Sequence, residues 1–200
     1  MSADAETLAV YDARTGDYAR MVSAWNTPGL DGFLDRLPRP GVVLDLGCGP
    51  GLDARRMMDA GLDVDAVDAS AAMVRAAQEI GVPARQSTFA QIDGSGLYDG
   101  IWGNFSLLHA PRADFPDHLA ALARALKPAG LLHIGMKLGE GEGRDALGRF
   151  YTYYDEDELL RHLTTSGFTP TARCEGTGKG LSGEASPWIW VQATKAHSDG

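Results

Sequence analysis

The stretch VVLDLGCGPG, Val42 to Gly51, constrains the fold more than any other part of the chain. A short apolar run empties directly into glycines at alternate positions, Gly47, Gly49 and Gly51. A nearly continuous apolar run of this kind suits a parallel strand buried on both faces. Glycines straight after it let the backbone turn tightly and let a ligand come close to the main chain. Strand, glycine loop and helix together open an α/β sheet whose ligands bind past the carboxyl ends of the strands. Asp45 stands out because it puts a carboxylate into a run otherwise made of hydrocarbon.

The rest of the chain repeats the alternation. Leu30, Phe33, Leu34 and Leu37 follow helical spacing, and Pro38 and Pro40 end that helix. A helix through Met57 and Met58 stops at Gly61, and Asp63 to Asp68 reads as a second strand. Ser70 is placed to cap a helix with Met73, Val74, Ala77 and Ile80 inward. Ala84 to Phe89 reads as a weak third strand and Tyr98 to Asn104 as a fourth. Leu119, Leu122 and Leu126 mark the next helix, and Pro128 and Gly130 turn the chain into a fifth strand, Leu131 to Met136. Asp155 caps a helix carrying Leu159, Leu160 and Leu163. Two last strands, near Thr169 to Cys174 and Trp188 to Thr194, are separated by GTGKGLSGEAS, too short for a crossover, so they form an antiparallel hairpin. The expected fold is α/β: a doubly wound (Rossmann-like), mostly parallel seven-stranded sheet with a C-terminal antiparallel hairpin. Residues 1–195 are expected to form one domain, with residues 1–38 as a helical lid region and residues 196–200 as a frayed tail. GEGEGRDALG, Gly139 to Gly148, has the composition of a mobile surface loop.

Length and charge narrow the function. The chain has 200 residues and a formal net charge of −9. An acidic surface repels phosphate backbones, so no nucleic acid partner is expected. No apolar run is long enough to span a membrane, and MSADAETLAVYDA lacks the basic segment and apolar core of a secretory leader. Cys48 and Cys174 are the two cysteines; they make no zinc pattern, no metal is expected, and a cytoplasmic setting is the simplest expectation.

The ligand follows from two carboxylates. Asp68 ends the second strand, where a carboxylate can accept hydrogen bonds from ribose hydroxyls. The structural alternatives are glycines that only make turns and an aspartate that only caps a helix. A dinucleotide site would space its glycines G-x-G-x-x-G around a pyrophosphate, but Gly51 comes one position early. Asp45 would repel a pyrophosphate and attract a cation. S-adenosylmethionine (SAM), a nucleoside with sulfonium and ammonium groups, suits both carboxylates.

With these residues in view, the chain resembles the class I SAM-dependent methyltransferases, within a group of small bacterial members. VLDLGCGPG is similar to that family's first motif, VDAVDAS to its second, YDGIWGNFSLLHAP to its fourth-strand motif and ALKPAGLLHIGMK to its fifth-strand turn. The resemblance implies that Gly47, Cys48, Gly49 and Gly51 approach the methionyl part and that Asp45 helps bind its amino group. It implies Asp68 as the ribose ligand, Ala69 beside the adenine, and Asn104, Phe105 and Ser106 on the sulfonium side. The family's aspartate after the third strand is missing from RQSTFAQ, which leaves Thr88 or Phe89 for the adenine. Ala129 also stands where a second glycine is usual.

Residues for the acceptor are read with their plainer alternatives. His109 is the candidate general base, or a histidine bonded into the next helix start. Lys137 can neutralise an acidic acceptor, or be a solvated strand-end lysine. Arg144 and Arg149 can close on a carboxylate, or be surface charge. Tyr18 can cover the cofactor as a lid, or pack on the sheet. Trp102, Tyr151, Tyr153 and Tyr154 can wall the acceptor, or be core; Trp188 and Trp190 are read as structural. The implied activity is methyl transfer to a small-molecule acceptor. The alternatives are a macromolecular (tRNA or protein) methyltransferase and a catalytically silent SAM-binding module. The sequence does not give the oligomeric state.

Overall fold

The computed structural model describes residues 3–24 and 26–196. The chain begins with helices α1 (Ala5–Ala13), α2 (Thr15–Ser23) and α3 (Leu30–Asp35). There follow β1 (Val42–Leu46), α4 (Leu52–Asp59), β2 (Asp63–Asp68), α5 (Ala71–Glu79), β3 (Arg85–Gln86) and β4 (Tyr98–Asn104). Next come α6 (Phe115–Ala125), β5 (Leu126–Lys137), β6 (Glu142–Arg144), β7 (Phe150–Thr152), α7 (Glu156–Thr165), β8 (Phe168–Lys179) and β9 (Ala185–Lys195). The main sheet has seven strands in the order β3-β2-β1-β4-β5-β9-β8, and β6 and β7 form a separate pair. β1, β2, β3, β4 and β5 run parallel; β9 and β8 are antiparallel. The expected sheet is therefore the observed one.

Two-sided burial explains the apolar run of β1. Leu44 and Leu46 belong to the core under α6 and α7, with Leu119, Leu122, Leu159 and Leu163. Val43 belongs to the opposite core with Phe33, Met57 and Ala77. Successive side chains alternate between faces, so each must be apolar unless it has a special task. Asp45 falls on the Val43 face, beside Trp102 in register on β4. Caps form as read: Ser70 Oγ accepts from the Met73 N–H at 3.1 Å, and Asp155 from Glu158 at 2.7 Å.

Several expectations need correcting. α3 is core and no part of a lid, since Leu30 and Phe33 are fully buried. The third strand shrinks to Arg85–Gln86, and Phe89 lies in a 3-10 turn. Leu126 leaves α6 and starts β5. GEGEGRDALG is no open loop: Glu142–Arg144 pairs with Phe150–Thr152, and the connection packs on α1. The supposed loop after Cys174 is strand for most of its length, with Thr177 opposite Pro187 and Lys179 opposite Ala185. The tail from residue 197 onward lies outside the described residues. No helix among the described residues is long and apolar enough to cross a membrane.

Candidate active site

The glycine loop is built by close approach. Gly47 turns the chain at φ 77°, and a Cβ there would strike Ser106 in the loop after β4. Gly49 N–H donates to Asp68 Oδ2 at 2.9 Å, and Ser70 N–H donates to Oδ1 at 2.8 Å. Asp68 thus ties the first loop to the second, and each oxygen keeps lone-pair capacity for a further donor. Gly51 has a different task from the one expected. It starts α4 at φ 82°, and a Cβ would sit 2.8 Å from Ala77 Cβ, so it lets α4 pack on α5.

Three adjoining cavities lie at the carboxyl ends of the strands, and Tyr18 and Phe105 line all three. The Asp68 cavity measures about 100 Å³ and also holds Ala69, Thr88, Phe89, Ser106 and His109. The Asp45 cavity measures about 330 Å³ and holds Cys48, Asp53 and Trp102. Gly47, Gly49 and Asn104 border both of these. The Lys137 cavity, about 400 Å³, holds Arg149, Tyr151, Trp188 and again His109. Phe105 meets all of them from a left-handed backbone, φ 53°, with its N–H donating to Gly135 O at 3.1 Å. That conformation costs an ordinary residue about 1–2 kcal/mol, and such strain gathers at functional sites.

The electrostatics favour a cation at Asp45. Its side chain is buried, and Oδ2 has no hydrogen-bond partner among the described residues. Burial first, then the Asp53 and Asp68 charges, push its acid well above the ordinary carboxylate range. Asp53 is engaged by Thr27 at 2.7 Å and by Trp102 Nε1 at 3.0 Å, and burial raises it too. The Ser106 hydroxyl is likewise buried without a partner. A carboxylate oxygen left unpaired in a buried place is costly unless a donor arrives. An ammonium such as that of SAM would supply that donor, and ribose hydroxyls would suit the spare lone pairs of Asp68. The residues present therefore fit the cofactor.

His109 is fully engaged within the protein. Nδ1 lies 2.6 Å from the Phe150 carbonyl, which can only accept, so Nδ1 carries the proton. Nε2 then accepts from Tyr11 Oη at 2.9 Å, and Tyr11 in turn accepts from Arg149 Nη1 at 3.0 Å. Burial, with the Arg149 and Lys137 charges, pushes the imidazole down to about 4, so the ring is neutral at neutral pH.

Some candidates belong elsewhere. Arg144 lines none of the three cavities and pairs with Asp4 at 2.9 Å and Glu6 at 3.3 Å. Trp102 walls the Asp45 cavity, stacked 3.6 Å from His133, and not the Lys137 cavity. Arg149 is fully buried and held by Asp145 at 2.6 Å. Tyr154 is core, while Trp188, read as structural, lines the Lys137 cavity. The sequence reading passed over Asp53; its place in the first turn of α4, two residues past Gly51, was the available signal.

The chain matches the family described as methyltransferase domain over residues 43–130. It is 31% identical to 2-methyl-6-phytyl-1,4-hydroquinone methyltransferase of Synechocystis over 188 residues, covering 90% of this chain and 54% of that one. It is 36% identical to malonyl-[acyl-carrier protein] O-methyltransferase of Pseudescherichia vulneris over 96 residues, 46% of this chain and 37% of that one. The chain thus spans about half the length, or less, of these curated relatives. The crystal structure of Burkholderia thailandensis 1,6-didemethyltoxoflavin-N1-methyltransferase, with 1,6-didemethyltoxoflavin and S-adenosylhomocysteine (SAH) bound, superimposes with a TM-score of 0.71 at 25% identity. That match covers 98% of this chain and 92% of the other. Fold, glycine loop and similarity agree: the chain belongs to the class I SAM-dependent methyltransferases.

Proposed function

We propose that this chain transfers the methyl group of SAM to a small-molecule acceptor bound in the Lys137 cavity. The observation that carries the reading is the unpartnered, buried Oδ2 of Asp45, in a cavity that adjoins the Asp68 cavity along Gly47 and Gly49. SAM supplies an already activated methyl on a sulfonium, so the chain has chiefly to bind, align and exclude water. Asp45 takes the ammonium, Asp68 takes the ribose hydroxyls, and Thr88 and Phe89 flank the adenine. The rings of Tyr18 and Phe105 stand where the three cavities meet, and aromatic faces favour a cation such as a sulfonium. His109, neutral and shared by the Asp68 and Lys137 cavities, can accept an acceptor's proton once Tyr11 turns its hydroxyl away.

A small acceptor fits better than a macromolecule, because a cavity of about 400 Å³ is of small-ligand size. The 1,6-didemethyltoxoflavin and hydroquinone relatives, by their names, also act on small molecules. Calorimetry with SAM and NAD tests the cofactor, and transfer of label from methyl-labelled SAM to a panel of small molecules tests the reaction. SAM should bind and NAD should not. Tighter binding of NAD than of SAM would end the reading, and SAM binding without label transfer to any member of the panel would favour a silent binding module.

A further inference from the structure

Lys137, Lys179 and Arg149 line the Lys137 cavity, and among the described residues no carboxylate does. Arg149 is compensated: Nε and Nη2 donate to Asp145 Oδ2 at 3.0 and 2.6 Å, and Nη1 goes to Tyr11. Lys137 is not. Its Nζ lies over the Tyr151 ring, 4.1 Å from the centroid, and among the described residues it makes no ion pair. Burial and the Arg149 charge lower its pKa, the sign of a cation held away from water with no counterion, while Asp145 and Glu184 act on it only at longer range. A solvated strand-end lysine would not be set on a ring in a pocket.

The walls say what else the cavity takes. Trp188 and Phe105 meet edge to face, 6.2 Å between centroids, and both line it. The Trp188 ring is laid down over Gly176 and Gly178, whose missing side chains leave room for it. Flat aromatic walls favour a flat ring, and the unpaired Lys137 ammonium, with the exposed Lys179 also lining the cavity, favours an anion. We propose that the acceptor is a planar aromatic carboxylic acid, its carboxylate paired with Lys137 and its ring against Trp188 and Phe105. The word acceptor rests on the methyltransferase reading; the binding of the acid does not.

Three probes, benzoate, 4-hydroxybenzoate and 2-naphthoate, are titrated calorimetrically into the full chain beside their neutral methyl esters, with and without saturating SAH. At least one acid should bind tenfold or more tightly than its ester. Lys137→Met should cut that preference below threefold, and Lys137→Arg should keep most of it. SAH affinity, measured on each variant, reports that the fold and the cofactor site are intact. Equal binding of acid and ester, a preference that survives Lys137→Met, or no binding of any acid to a protein that binds SAH would overturn the proposal. Acid binding through Lys137 in a protein that ignores SAH would instead uphold it and sink the methyltransferase reading.

Discussion

Asp45 carries opposed demands within one side chain. Its folded pKa lies above the unfolded value, because burial and two neighbouring carboxylates penalise the charge. For a raised carboxyl group the stabilising contribution is present below the unfolded pKa, near 3.8, and is lost as pH rises through the folded value. A bound cation reverses that penalty. Asp45→Asn should therefore raise the thermal midpoint of the ligand-free protein at pH 8 and change it little at pH 4, while SAM affinity drops roughly tenfold to a hundredfold, the loss of about 1.5–3 kcal/mol expected of a charged hydrogen bond. Scanning fluorimetry at both pH values and calorimetry with SAM check the pair of effects. A variant that is less stable without ligand, yet binds SAM as before, would make Asp45 a structural residue. What could be read in advance at this scale was whatever is local in sequence. Asp45, Gly47, Gly49 and Asp68 sit in one strand–loop–helix–strand unit, so their spacing revealed them. Arg144 could not be read, because its partner Asp4 is 140 positions away and nothing near it in sequence signals the pair.

Elements were legible where burial sets a period and obscure where a single side chain replaces a missing one. β1, β2 and β4 match the expected boundaries: β1 is a nearly continuous apolar run, β2 alternates Asp with apolar residues, and the apolar side chains of Tyr98, Ile101 and Trp102 mark β4. The end of β8, from Gly176 to Lys179, looked like a loop because Gly176 and Gly178 break the strand pattern, but Trp188 on β9 covers both and restores a continuous surface. The entry to β5 shows the converse: Ala129 stands exposed at φ 59° in a turn that would suit glycine. Ala129→Gly should gain about 0.5–1 kcal/mol, the left-handed penalty less the extra chain entropy of glycine. For a chain of this size that is a rise of roughly 1–4 °C in thermal midpoint; a fall would mean that the turn is held by something other than backbone strain. α1 matters more for function. Thr7, Leu8 and Tyr11 reach into the Asp68 cavity and leave about 100 Å³, below the roughly 300 Å³ and more of ordinary ligand sites. Its ties are mostly polar: Asp4 to Arg144, Thr7 to Phe150, and Asp12 to Ser70 and Ala72. An element with one buried residue and polar ties opens at low cost. Amides of α1 and α2 should exchange at least tenfold faster than those of α5 in the free protein and slow on adding SAH. Equal protection of α1 and α5, unchanged by SAH, would place the entrance elsewhere.

At the scale of the whole molecule, the formal net charge of −9 acts on every approaching ligand before any contact is made. Asp45, Asp53 and Asp68 lie together at the strand ends, so the general field and the local one have the same sign at the cofactor site. SAM carries a net charge of about +1 near neutral pH, and SAH, lacking the sulfonium, carries about 0. The two share nearly every contact. Long-range attraction therefore separates them, and salt screens it with a Debye length of about 10 Å at 0.1 M against about 30 Å at 0.01 M. Stopped-flow tryptophan fluorescence should show the SAM association rate falling several-fold between those salt concentrations, while that of SAH stays within about twofold. The dissociation rates should change little for either, because a contact at the buried Asp45 would be poorly screened. Parallel salt curves for SAM and SAH would mean that opening of α1, and not electrostatic approach, sets the rate of entry, and the acidic surface would then have no part in cofactor capture.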